Sequence, residues 1–170
     1  LAILSRRFDA IARKMQHTLV RSSRSGVISS GHDCSCCLLT QGAELLSAAQ
    51  TIPIHVMSGA YVMARTMAKF HPRLRRGDAF LHTSPYLGCT HAADLTVLVP
   101  VVDEEGRHQF TMLAKAHQAD IGNSVPTTYH ATAKDVYEEG AMIFPCVLLQ
   151  RDWQMVDDVI RMGMRRIRVP

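Results

Sequence analysis

The chain has 170 residues, of which 47% are hydrophobic and 20% charged, with a formal charge of +4. That length supports one domain with a sizeable core, and the composition excludes a disordered chain. No apolar run approaches the roughly 18 residues of a membrane span, and the first residues lack the basic-then-apolar order of a signal peptide. The basic residues gather near the two ends and at Arg73, Arg75 and Arg76. With no nucleic-acid module and only 6% aromatics, they read as solvated faces or a subunit contact rather than a nucleic-acid surface. Three of the five cysteines crowd into Cys34-Ser35-Cys36-Cys37, which is neither a disulfide framework nor a paired zinc spacing. They read as reduced, buried thiols of a cytoplasmic protein. The chain begins without Met and reads as a fragment at both ends.

Leu4, Phe8, Ile11, Met15 and Leu19 share one helix face, which predicts an amphipathic helix over 3–20. Ser22 to Gly26 breaks it. A strand is expected over 33–39, with 43–48 as its hairpin partner. Thr51 to His55 is expected to be extended around Pro53. A second helix is predicted over 57–70, with Ser58 as N-cap and Met57, Ala60, Ala64 and Met67 on a close-packing face. After a turn at 75–78 comes a short strand at 79–82 and a Pro/Gly loop at 84–90. Leu95 to Val102 is dense in β-branched residues, Asp103 to Gly106 is a hairpin turn, and Gln109 to Ala116 is the return strand. Residues 122–134 are polar and predict a long loop, a kind of segment that is often functional. The acidic Glu138-Glu139-Gly140 follows, and a last helix is expected from Asp152 to Met162, with Trp153, Val156 and Ile160 on one face. The expected fold is α+β, a mixed or antiparallel sheet with a central β-hairpin at about 95–117 flanked by helices. There is no Walker pattern and no G-x-S-x-G elbow.

Two His/Asp clusters lie at the open end of that hairpin: His91 with Asp94, and His117 with Asp120. A turn centred between Glu104 and Glu105 sets Asp94 opposite Lys115 and Ala92 opposite His117, and a turn variant slides this by a residue or two. Opposed Cβ atoms are roughly 4.5–5.5 Å apart, close enough for His91, Asp94 and His117 to share one ion. Residues three apart point to opposite faces of a regular strand, so each cluster needs a turn or bulge in the backbone. Two imidazoles and a carboxylate leave positions open on Mn²⁺, Fe²⁺ or Zn²⁺. The competing reading is a polar strand end with His117 hydrogen-bonded in the core. His55 either lines the same cleft or is a satisfied buried histidine. His32-Asp33 reads as a turn, Glu138 and Glu139 as a solvated pair, and Asp120 as an extra ligand or an orienter of His117. Tyr86 either touches substrate or packs under its loop. Cys89 is the thiol nearest the chemistry.

Ser-Pro-Tyr-x-Gly-x-Thr-His-x-x-Asp at 84–94, Ala-His-x-Ala-Asp-x-Gly at 116–122, Ile-Pro-x-His at 52–55, Tyr-Glu-Glu-Gly at 137–140, Asp33-Cys34-Ser35-Cys36 and Arg168-Val169-Pro170 occur in an order that resembles the hydantoinase B/oxoprolinase family. The resemblance implies that residues 1–170 are the N-terminal portion of one longer hydantoinase B-like domain. It implies a partner, a hydantoinase A-type subunit or domain, that uses ATP and magnesium to phosphorylate a cyclic amide or a ketone enolate. This part would then hold a divalent metal through His91, Asp94 and His117, with His55 and Asp120 either supporting those ligands or facing the substrate, and complete hydrolysis. An acetone/acetophenone-type carboxylase subunit and an inactive structural paralogue are the alternatives. The chain departs from the pattern at Thr83-Ser84 (usually Asn-Asp), at Cys89, at Gln118 and at Asn123. These leave the presumed ligands intact and bear on the substrate.

Overall fold

The computed structural model describes residues 2–49, 52–140 and 142–169. Thr51, which opens the segment expected to be extended, and Pro170 of the closing motif lie outside them. Helix α1 spans Ala2–Ser22 and a one-turn α2 spans Gly26–Ser29. Strands β1 (Cys34–Thr40) and β2 (Leu45–Ala48) follow, then α3 (Pro53–Met57), α4 (Ala60–Phe70) and β3 (Ala79–His82). A 3₁₀ turn at Pro85–Leu87 leads to β4 (Asp94–Val102), β5 (His108–His117), α5 (Val136–Glu139), β6 (Val147–Arg151), β7 (Gln154–Met155) and α6 (Asp157–Arg166). The strands form one antiparallel sheet in the order β2-β1-β5-β4-β3-β6-β7.

The alternation of side chains along each strand sorts the core into two faces. Cys36 and Leu38 meet Phe8, Ala12 and Met15 of α1 on one face. Leu81, Leu149 and Phe144 meet Val159 of α6. On the other face Cys37, Leu39, Phe80, Leu98 and Leu113 pack under Ala60, Met63, Ala64 and Met67 of α4. This second face is layered. Cys37, Leu113, Leu98 and Phe80 form an apolar row across four strands, and the next row toward the hairpin's open end is polar: Ser35, Lys115, Thr96 and His82. All four of these polar residues are fully buried. Beyond them Asp94 pairs with His117. Polarity thus rises toward one end of an otherwise apolar face. Burial pushes the His82 imidazole down to about 4, so it stays neutral in the interior.

Three expectations need correction. Pro53 does not hold its segment extended. It opens α3 as the first helical residue, a position that needs no N–H. Ser58 caps no helix start. Its hydroxyl donates to Ile54 O at the end of α3, and α4 begins only after Gly59, leaving Met57 74% exposed, off the packing face. The last helix does not begin at Asp152. Asp152 and Trp153 both take positive φ, 50° and 65°, as the two-residue turn of the β6–β7 hairpin, and Trp153 is exposed.

The break before α4 has a steric reason. A Cβ on Gly59 would lie 1.8 Å from Gly88 O, and Gly88 itself needs φ +101°. This backbone-on-backbone contact seats the loop that leads to His91. Gly59→Ala is expected to cost about 3 kcal/mol of stability, measured by denaturant unfolding, whereas Gly26→Ala, with open space around it, leaves stability nearly unchanged.

Candidate metal centre

The hairpin registers so that Asp94, the first residue of β4, sits directly opposite His117, the last of β5. His91 reaches them from the loop, because the chain turns at 91–94 with Asp94 N–H bonded to His91 O. Asp94 is the hub. Its Oδ1 is 3.1 Å from His117 Nδ1 and 3.2 Å from His91 Nε2. Its Oδ2 is 3.4 Å from His55 Nε2. The ligand atoms of His91, Asp94 and His117 all lie within 4.8 Å of one another. Asp94 and His117 are buried, while the His91 side chain keeps 22% of its surface, so the cluster opens to solvent at that edge.

The surroundings fix these side chains. Ala93 N–H donates to His91 Nδ1, and the Cys89 thiol lies 3.3 Å from His91 O and 3.1 Å from Asp94 O. Lys115 Nζ donates to Thr90 Oγ1 at 2.7 Å, tying the loop to the buried polar row. His55, buried on α3, has Nδ1 3.0 Å from Ser35 Oγ and Nε2 3.8 Å from Asp33 Oδ1. Tyr129 stacks on His117 at 5.2 Å between ring centroids and leans on His91 at 5.4 Å. Thr128 Oγ1 lies 2.5 Å from His117 Nε2.

Burial pushes the His55 and His91 imidazoles below their ordinary range, against the pull of Asp94. Burial alone would raise Asp94, but the His91 and His55 imidazoles and the Lys115 ammonium around it hold its carboxyl below the usual range. Burial lowers Lys115 as well, opposed by Cys89 and Asp94. Asp94 is therefore an ionised carboxylate beside the neutral imidazoles of His55 and His91 at neutral pH. Asp94 Oδ2 and Asp33 Oδ1 are buried with no hydrogen-bond partner among the described residues. Such a donor set, with carboxylate oxygens in want of a positive partner, fits a divalent first-row ion, whose N and O ligands lie at about 2.0–2.2 Å.

The other candidates fall elsewhere. Asp120 is not drawn into the cluster. It accepts from Gly122 N–H and pairs with Arg168 at 3.1 Å, which anchors the segment after α6 to the strand end. Thr128, from the 122–134 loop, takes the place beside His117 that orienting would require. His32 lies in an exposed turn with φ 55°, but Asp33 is turned inward to His55. Tyr86 is 71% exposed rather than packed under its loop. Glu138 accepts from Lys134 N–H on the surface. All five cysteines are free and buried. Thr128, Tyr129, Lys115 and Ser35 are the site residues that sequence reasoning passed over. A polar loop marks no single position, and the alternation that puts Lys115 and Ser35 on the buried face was the one available signal.

Comparison with known proteins gives a consistent set of relatives. The family model described as hydantoinase B/oxoprolinase matches residues 1–170. The chain is 34% identical over 169 residues to the caprolactamase subunit beta of Pseudomonas jessenii, covering 99% of this chain and 29% of that one. It is 32% identical over 144 residues to the 5-oxoprolinase of Saccharomyces cerevisiae, covering 85% of this chain and 11% of that one. Among solved structures it superposes on the ATP-dependent caprolactamase from Pseudomonas jessenii with a TM-score of 0.83 at 25% identity, over 98% of this chain and 29% of that one. A nucleotide-free acetone carboxylase shares the fold, with a TM-score of 0.85 at 17% identity over 98% of this chain and 22% of that one. The chain thus spans between about a tenth and three tenths of the length of these relatives. No described helix is long and apolar enough to cross a membrane.

Proposed function

Because the chain belongs to the hydantoinase B/oxoprolinase family, we propose that it carries the metal-holding end of an ATP-dependent hydrolase of cyclic amides. In this reading it is the N-terminal portion of a longer cytoplasmic subunit. A hydantoinase A-type partner binds ATP and magnesium and activates the substrate. The observation that carries the proposal is the Asp94 carboxylate, buried among His91, His117 and His55, with Oδ2 accepting no hydrogen bond among the described residues. Relatives named as a caprolactamase subunit and as 5-oxoprolinases support cyclic amides as the substrate class.

His91, Asp94 and His117 would hold Mn²⁺, Zn²⁺ or Fe²⁺. Such an ion polarises a carbonyl and makes water a nucleophile near neutral pH. His55 is kept neutral by burial and is placed to accept a proton at Nε2, with Asp94 and Asp33 stabilising the imidazolium that results. Ser35 holds the far nitrogen of that ring. Asp120 serves the site at one remove, by anchoring the chain after α6. Tyr129 shields one side of the two ligand rings. Ser84, buried at the loop entrance where relatives of this pattern usually carry a carboxylate, bears on which ring is accepted.

The test uses the full-length protein with its ATP-using partner: metal analysis, and ATP-dependent turnover of five-membered cyclic imides and lactams, with and without bicarbonate. One ion per chain and bicarbonate-independent ring opening are expected, both lost in His91→Ala. Absence of stoichiometric metal, together with unchanged turnover in His91→Ala, would overturn the reading. Bicarbonate-dependent product would move the assignment to a carboxylase.

A further inference from the structure

We infer that Thr128 is a positioning residue that fixes the tautomer of His117, so that the nitrogen facing Asp94 presents a lone pair. The inference extends the metal reading above and starts from one hydroxyl. Thr128 Oγ1 stands 2.6 Å from Gln118 O and 2.5 Å from His117 Nε2. A carbonyl oxygen can only accept, so the single hydroxyl proton goes to Gln118 O. His117 Nε2 must then be the donor to Thr128 Oγ1. With the proton pointed the other way, the hydroxyl and carbonyl oxygens would face each other as two bare acceptors 2.6 Å apart.

The consequence falls on the other nitrogen. A neutral imidazole with its proton on Nε2 has an unprotonated Nδ1, and His117 Nδ1 faces Asp94 Oδ1 at 3.1 Å. Two acceptors directed at each other in a buried site are stabilised by a cation between them. Tyr129, the next residue, stacks on the His117 ring and holds its plane. The polar 122–134 loop thus does more than connect. It delivers one hydroxyl and one aromatic ring to a histidine at a strand end, and it sets that histidine ready to ligate before any ion arrives.

The decisive measurement is magic-angle-spinning ¹⁵N NMR of the metal-free, full-length protein labelled at histidine, with His117 assigned by difference from His117→Gln. The expected signature is a proton on Nε2 and none on Nδ1. In Thr128→Val the ring keeps, among the described residues, only Asp94 Oδ1 as a hydrogen-bond partner, so the proton moves to Nδ1, and a competition titration with Zn²⁺ finds affinity weaker by roughly ten- to a hundredfold. Thr128→Ser keeps the hydroxyl and restores both readouts. A wild-type His117 with its proton on Nδ1, or a Thr128→Val protein with unchanged tautomer and affinity, overturns the inference. A wild type that shows the expected tautomer and its switch in Thr128→Val, yet takes up no Zn²⁺, upholds Thr128's role and removes the metal reading instead.

Discussion

Asp94→Asn is expected to abolish metal retention and to lower ATP-dependent ring opening by about a thousandfold, the largest single effect the site allows. The substitution keeps the shape of the side chain and removes only its charge. Asp94 lies within hydrogen-bonding or ion-pair distance of three imidazoles and supplies the only anionic ligand of the set. An amide there offers one weak acceptor and a donor that faces a ring nitrogen. If the ion contributes about 4 kcal/mol to the barrier, its loss corresponds to about three orders of magnitude in rate. Elemental analysis reads the metal, and thermal unfolding reads it a second way. An ion at a hundredfold excess over its Kd stabilises the folded state by about 2.7 kcal/mol; the wild type should show that shift and Asp94→Asn none. Asp120→Asn is the control. Its carboxylate is engaged by Arg168 and Gly122, so the variant keeps its metal while the segment after α6 loosens. Metal loss of equal size in both variants would mean that Asp120 is a ligand after all.

What the sequence made legible follows from which forces act locally. The three presumed ligands were readable because a hairpin with dense β-branched strands has few ways to pair. The turn was read two residues short. Gly106 N–H donates to Asp103 O, Asp103 N–H donates to Arg107 O, and a bulge between Val101 and Val102 lengthens the connection. Asp94 therefore faces His117 rather than Lys115. A slip of two preserves which face each side chain takes, so the buried set survived the error. The β6–β7 hairpin was not readable. Its turn residues, Asp152 and Trp153, adopt left-handed backbone without a glycine, and Trp153, Val156 and Ile160 mimic helical spacing. The short α3 was missed because proline restrains its predecessor toward extended backbone yet also suits the first turn of a helix. Whether His55 reached the cluster hung on that choice, since α3 carries it under the sheet end. Thr128 could not be singled out at all, because its partners are His117 and a carbonyl ten residues away, and no periodicity encodes that contact.

Lys115 separates charge from packing at this site. It is fully buried between Ser35 and Thr96 on the neighbouring strands, with its ammonium on Thr90 Oγ1. Lys115→Ala should lose about 4 kcal/mol of stability, because it opens a cavity in the sheet face and strands the Thr90 hydroxyl. Lys115→Met fills the same space without charge and should stay within about 1 kcal/mol of the wild type, since a buried charge replaced by an apolar side chain of similar volume removes its own desolvation cost. The ion should respond in the opposite direction. Lys115 is a diagonal neighbour of Asp94 across the β4–β5 ladder, about 7–8 Å away. At an effective dielectric of about 20, two unit charges at that range interact by about 2 kcal/mol. The ammonium therefore holds down the affinity of the cluster for a dication, and Lys115→Met should bind Zn²⁺ about tenfold tighter in a competition titration of the full-length protein. The lost tether to Thr90 works against this by freeing the loop that carries His91. Its cost is shared between loop order and ion binding, whereas the removed repulsion acts wholly on the ion, so the charge effect should prevail. Weaker binding in Lys115→Met, with stability retained, would show that the tether outweighs the field and that Lys115 serves the site by holding its loop.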